Sequence, residues 1–166
     1  GGELFLQLAL VVVHVHGAQG QVGSAPVEQL DAVLELVGAG EITYECRAKA
    51  DAKDQLEWVF AGPKAVLKDR QGKQVGTYYG PPATWEAADG SKLTGTQVAV
   101  APAGAGNLPY QLVKANPAMG AGALNGVAYI QRTALKGGVA PQTPCTTAGQ
   151  RSQVSYQADY IFWKAN

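Results

Sequence analysis

The chain has few of the residues on which most enzyme chemistry runs. It holds two histidines, two cysteines and one methionine among 166 residues. Cys46 and Cys145 stand far apart, with neither a CxxC partner nor metal-ligand spacing. In an exported protein they would pair, and in a cytosolic one they would be two separate buried thiols. Charge is equally sparse. Lys plus Arg and Asp plus Glu both total 13, so the formal net charge is zero, and no basic block occurs. Nothing here resembles the electrostatic footprint of a nucleic-acid binder or of a protein held on an anionic membrane. No apolar run reaches the roughly twenty residues of a spanning helix. None of Asn107, Asn116 and Asn125 opens an N-x-Ser/Thr acceptor.

Catalytic constellations are correspondingly thin. His14 and His16, two apart on a strand, would share a face and form a weak chelating pair without a visible third ligand. A nucleophilic triad would have to recruit one of these same two histidines. Glu86, Asp89, Asp69 and Asp159 supply carboxylates for a glycosidase-type pair. Asp89 sits in an Asp-Gly turn, however, and Asp69 beside another, where bonding to backbone is the usual role. The run from Gly120 to Gly126, GAGALNG, misses a dinucleotide fingerprint by one position and lacks the strand–helix context. The expectation is a protein that is not an enzyme and carries no cofactor.

What the chain does have is alternation. Ile42, Tyr44, Cys46 and Ala48 fall on one face, and Thr43, Glu45, Arg47 and Lys49 on the other, the period of a half-buried strand. Leu56, Trp58 and Phe60 repeat it, as do Val98 and Val100, Val127 and Tyr129, and the series Val154, Tyr156, Ala158, Tyr160 and Phe162. Turn signals lie between these runs at residues 70–73, 88–91, 125–126 and 136–138. Only residues 27–37 carry helical spacing, through Val27, Leu30, Leu34 and Val37, with Gly38-Ala39-Gly40 as a stop for helix or strand. The fold class expected is all-β, a β-sandwich or partly closed barrel with Gly/Pro-rich loops and an extra N-terminal apolar strand. Residues 1–19 would be that strand, 20–26 a flexible joint, and 27–166 a single β-domain.

The first sixteen residues, GGELFLQLALVVVHVH, are the exception to the chain's modest hydropathy. They lack an initiator Met and a basic leading segment, so they depart from a secretory signal and read as a retained strand. β-Branched residues suit a pleated surface, and a strand apolar on both faces needs cover on both. The leading expectation is an extracellular structural protein that donates this strand to a neighbouring copy, head to tail, and so builds filaments. Leu4, Leu6, Leu8, Leu10, Val11, Val12, Val13 and Val15 would form the subunit interface, with Gly17, Gly20 and Gly23 as the hinge. The partner is thus the chain itself, with a polysaccharide or cell surface as a further candidate. The alternative is a monomeric secreted ligand-binding domain, for which Tyr78, Tyr79, Trp85 and Tyr110 offer a candidate stacking platform. A hydrolase ranks below both.

From Gly40 onward, one order of motifs resembles a known family. It comprises Ile42-Thr43-Tyr44-Glu45-Cys46, Trp58-Val59-Phe60, Pro63-Lys64-Ala65-Val66-Leu67 and Val75-Gly76-Thr77-Tyr78-Tyr79. Trp85-Glu86, Asp89-Gly90-Ser91, Leu108-Pro109-Tyr110 and Tyr129-Ile130-Gln131-Arg132-Thr133 follow, then Gly137-Gly138-Val139-Ala140-Pro141, Cys145 and Tyr156-Gln157-Ala158-Asp159-Tyr160. This resembles DUF3455, a family of exported bacterial and fungal proteins without a settled activity. The resemblance implies export, an all-β fold and a Cys46–Cys145 disulfide. The family pattern carries His where Tyr78 stands and Trp where Tyr110 stands. This chain therefore lacks the His on which a family metal or acid–base centre would depend.

Overall fold

The computed structural model describes residues 29–165. The expected donor residues Leu4, Leu6, Leu8, Leu10, Val11, Val12, Val13 and Val15 lie outside the described residues, as do the hinge glycines Gly17, Gly20 and Gly23 and the pair His14 and His16. Eight strands follow one another: β1 Leu30–Ala48, β2 Leu56–Lys68, β3 Gln74–Tyr79, β4 Thr84–Ala87, β5 Lys92–Ala101, β6 Tyr110–Ala115, β7 Val127–Gly137 and β8 Arg151–Ala165. Each pairs antiparallel with the next, and β8 pairs with β1. One sheet thus closes on itself in an irregular ring, where a sandwich would need two. Strand lengths run from 4 residues in β4 to 19 in β1, so the ring is tall on one side and short on the other.

Alternation builds the interior. Leu36, Ile42 and Tyr44 of β1, Leu67 of β2, Tyr78 of β3, Trp85 of β4, Ile130 of β7 and Tyr156, Tyr160 and Phe162 of β8 converge in one buried cluster. Burying a large apolar side chain contributes about 1.5–3 kcal/mol, and these residues fill the space that a wider ring would leave open.

The helical spacing of residues 27–37 does not produce a helix where the structure describes it, because β1 already begins at Leu30. A separation of four residues, as between Leu30 and Leu34, fits a strand's period as well as a helix's. Pairing with β8 from Leu30↔Ala165 to Leu36↔Tyr160 decides the matter, since it gives this backbone its partners. Nor does Gly38-Ala39-Gly40 stop the strand. A β-carbon on Gly40 would collide with the Lys64 carbonyl, so glycine here lets β1 and β2 approach closely.

Cys46 and Cys145 form a disulfide with their Cα atoms 5.9 Å apart. The bond ties the far end of β1 to the irregular segment ahead of β8. Backbone bonds from Cys46 to the Gln150 carbonyl and from Gly149 to the Cys46 carbonyl flank it, both at 2.8 Å. The Trp58 indole adds a third tie by donating to the Thr143 carbonyl at 2.9 Å.

Candidate functional site

The four aromatics of the candidate platform do not share a surface. Tyr78 and Trp85 are 6% and 1% exposed and stack inside the ring, centroids 4.8 Å apart at 29°. Tyr79, the next residue along β3, points outward and is 37% exposed. Tyr110 packs beside Ala101 and Leu112 on β5 and β6. The correction follows from the strand period, which sends neighbours 78 and 79 to opposite faces.

Inside, Tyr160 meets both stacked rings, at 5.2 Å from Tyr78 and 6.0 Å from Trp85. The Tyr156 and Tyr160 hydroxyls bond at 3.2 Å, and Tyr44 donates to the Gly138 carbonyl at 2.6 Å. Burial pushes all four phenols, Tyr44, Tyr78, Tyr156 and Tyr160, above the usual tyrosine range, while the Arg132 guanidinium opposes the rise. Arg132 itself is anchored by two bonds to the Pro109 carbonyl, at 3.2 and 2.9 Å. The Trp85 indole nitrogen is buried with no partner among the described residues. These groups form a hydrogen-bonded aromatic core.

The carboxylates are separately committed. Asp69 accepts from the Gln71 and Lys73 backbone in the β2–β3 turn, at 2.9 and 3.0 Å. Asp159 pairs with Arg70 at 3.2 Å, and Glu86 accepts from the Tyr79 hydroxyl at 2.7 Å. Asp89 accepts from the Ser91 amide and hydroxyl, at 3.0 and 2.7 Å, and from the Ala123 amide at 2.8 Å. The glycine-rich run that imitates a phosphate cradle thus cradles the protein's own anion. A β-carbon on Gly122 would collide with the Asp89 carboxylate. Among the described residues no cluster of His, Cys, Asp and Glu has the composition of a metal centre.

Three concavities stand out among the described residues; the smallest, about 290 Å³, lies over β3 and β4, and the other two are larger. One is an apolar mouth of about 360 Å³ at the end of the ring where β1 begins, lined by Leu34, Leu36, Leu67, Val75, Leu124 and Phe162 among others. The other is a groove of about 760 Å³ on the outer face of β8, β1, β2 and β3. Glu41, Lys64, Thr77, Tyr79, Arg151 and Gln153 line it. Of these, only Tyr79 stood out in the sequence. The signal for the others was the polar half of the alternation, which marks an outer face without saying that the face is concave.

A family profile described as "Protein of unknown function (DUF3455)" matches residues 26–164. The chain belongs to the DUF3455 family. The match begins ahead of Gly40, where the legible motifs start, and takes in the whole of β1. No curated protein and no solved structure matches the chain. Family membership therefore brings no activity with it, and function has to be argued from the concavities and edges of this ring.

Proposed function

We propose that the protein is a non-catalytic, extracellular structural protein whose copies associate head to tail, residues 4–15 of one chain adding as a strand to the next. The observation that carries this reading is an overhang. Residue 32 and residues 34–36 of β1 pair with β8 on one side, with Val33 bulged out between them, whereas the β2 ladder begins only at Val37. An edge left without a second partner among the described residues invites another strand. It borders the apolar mouth, and Val33 on the same stretch is an exposed hydrophobe. The occupant is named by the chain itself: residues 4–15 are apolar on both faces, and they belong to the segment that leads into β1. Because the ring closes without help, the donated strand lengthens the sheet and does not fill a gap. Such a contact is heterologous and repeats without closing. Zero net charge does little to oppose it, and the disulfide fits an oxidising compartment.

Light scattering and negative-stain imaging of the full chain, of a chain lacking residues 1–16, and of Val33→Lys test the reading. Large particles from the full chain alone are expected. A full chain that stays monomeric at high concentration ends the proposal.

The closed ring favours a second reading, a monomeric secreted binding domain, since a ring that is complete in one chain needs no neighbour in order to fold.

A further inference from the structure

We infer that the outer groove across β8, β1, β2 and β3 binds a neutral, hydroxyl-rich oligosaccharide, with Tyr79 as its aromatic wall. The inference gives the binding-domain reading its site, and it does not depend on assembly. At about 760 Å³ the groove has the size of a small-ligand site. Its depth has a backbone cause. Gly62 has φ +152°, and a β-carbon there would strike the Gly80 carbonyl, so the bulged stretch of β2 packs directly on the turn after β3. The Pro81 ring stands beside that contact.

The chemistry of the lining selects the ligand. Glu41 and Lys64 stand opposite each other in the β1–β2 register, yet no ion pair under 4 Å joins them among the described residues. Arg151 is held by Glu45 at 3.0 Å, and Gln153 and Thr77 add groups that both donate and accept. An anionic ligand would face Glu41, a cationic one Lys64 and Arg151, and an apolar one would strip water from all three. A sugar hydroxyl donates and accepts at once, so a run of them satisfies this mixed lining without adding a charge. Tyr79 supplies an exposed ring for the apolar C–H face of a sugar. Its hydroxyl donates to Glu86 at 2.7 Å, so the ring is already held and little side-chain freedom is lost on binding.

Calorimetric titration of the full chain with laminarihexaose, cellohexaose and chitohexaose, and with hexagalacturonate as the charged comparison, tests the inference. Tyr79→Ala, Tyr79→Phe and Gln153→Ala are titrated alongside, with thermal unfolding run on each to confirm that the ring is intact. At least one neutral hexaose is expected to bind. Tyr79→Ala should weaken it tenfold or more, Gln153→Ala severalfold, and Tyr79→Phe less than Tyr79→Ala. If a hexaose binds and Tyr79→Ala and Gln153→Ala leave it unchanged, the groove is the wrong site while the binding-domain reading stands. Preference for hexagalacturonate overturns the neutral class. Failure of every sugar at millimolar concentration overturns the inference and removes the support it lends to that reading.

Discussion

A β-carbon added to Gly38 would lie 2.6 Å from Cε2 of Tyr160. The two residues sit on paired strands, β1 and β8, and the tyrosine ring occupies the place where a side chain at 38 would stand. Gly38→Ala therefore has to move a fully buried ring in a packed interior. Such overpacking costs about 1–3 kcal/mol, which in a chain of this size lowers Tm by about 3–10 °C. Circular dichroism melting checks it. Adding Tyr160→Leu removes the ring, so the two changes should be strongly non-additive. Equal and additive losses would mean that the ring has room to yield.

That contact also explains why β1 was only half legible. In sequence, Gly38-Ala39-Gly40 reads as a stop, because glycine weakens a strand's local preference. In the fold, both glycines are where a ring and a neighbouring strand come close, a long-range fact that no local window contains. The strands with clean alternation, around Tyr44, Trp58 and Tyr160, were legible, and so were the turns at residues 70–73, 88–91 and 125–126. The turn expected at residues 136–138 is not one, because Lys136 and Gly137 pair with β8 as the end of β7 and Gly138 bridges to Asn107. β3, β4 and β6 were not. β6 buries the adjacent Leu112 and Val113, one outward against Ala101 and one inward, so its pattern has no period of two. Of the outer groove, only Tyr79 was legible, because concavity comes from the Gly62–Gly80 approach and leaves no periodic trace.

The Cys46–Cys145 bond spans 99 positions of sequence. A cross-link that long removes about 4–5 kcal/mol of unfolded-chain freedom in the entropic account. Reduction, or the paired change Cys46→Ala with Cys145→Ala, should lower Tm by about 10–15 °C. The segment ahead of β8 should lose hydrogen-exchange protection first, since Cys46 holds it to β1. A Tm within 2–3 °C of the parent on reduction would place the stability elsewhere.

Alkaline pH should unfold the ring through its tyrosines. Tyr44, Tyr78, Tyr156 and Tyr160 hold their protons more tightly in the fold than in the open chain, mainly because burial penalises the phenolate. A group raised in this way stabilises fully below its ordinary value near 10, and that stability is lost as pH climbs toward the folded value. Denaturant midpoints should therefore be flat up to about pH 9.5 and fall above it. Phenolate absorbance from these four rings should appear together with unfolding. Titration of these four near pH 10 with the fold intact would contradict the buried network.

Asp89 titrates in the opposite direction. The Ala123 amide, then the Ser91 amide and hydroxyl, hold its carboxylate below the usual aspartate range. A depressed group contributes its stability above the unfolded value, near 3.8, and loses it as pH falls through the folded one. Asp89→Asn keeps the shape and removes the charge, so its stability should fall less steeply than the parent's between about pH 4 and 2. Asp89→Ala should go further and loosen residues 120–126, read as faster exchange of the Ala123 and Leu124 amides. The Ala123 amide loses its acceptor, and only the Ser91 bond to Leu124 then ties the loop to the turn at residues 88–91. The same pair of variants separates architecture from catalysis. If Asp89 is an acid or base for a polysaccharide hydrolase, Asp89→Asn abolishes turnover while exchange at Ala123 stays slow. On the role argued here there is no turnover to lose, and the glycine-rich loop loosens in proportion to the bonds removed.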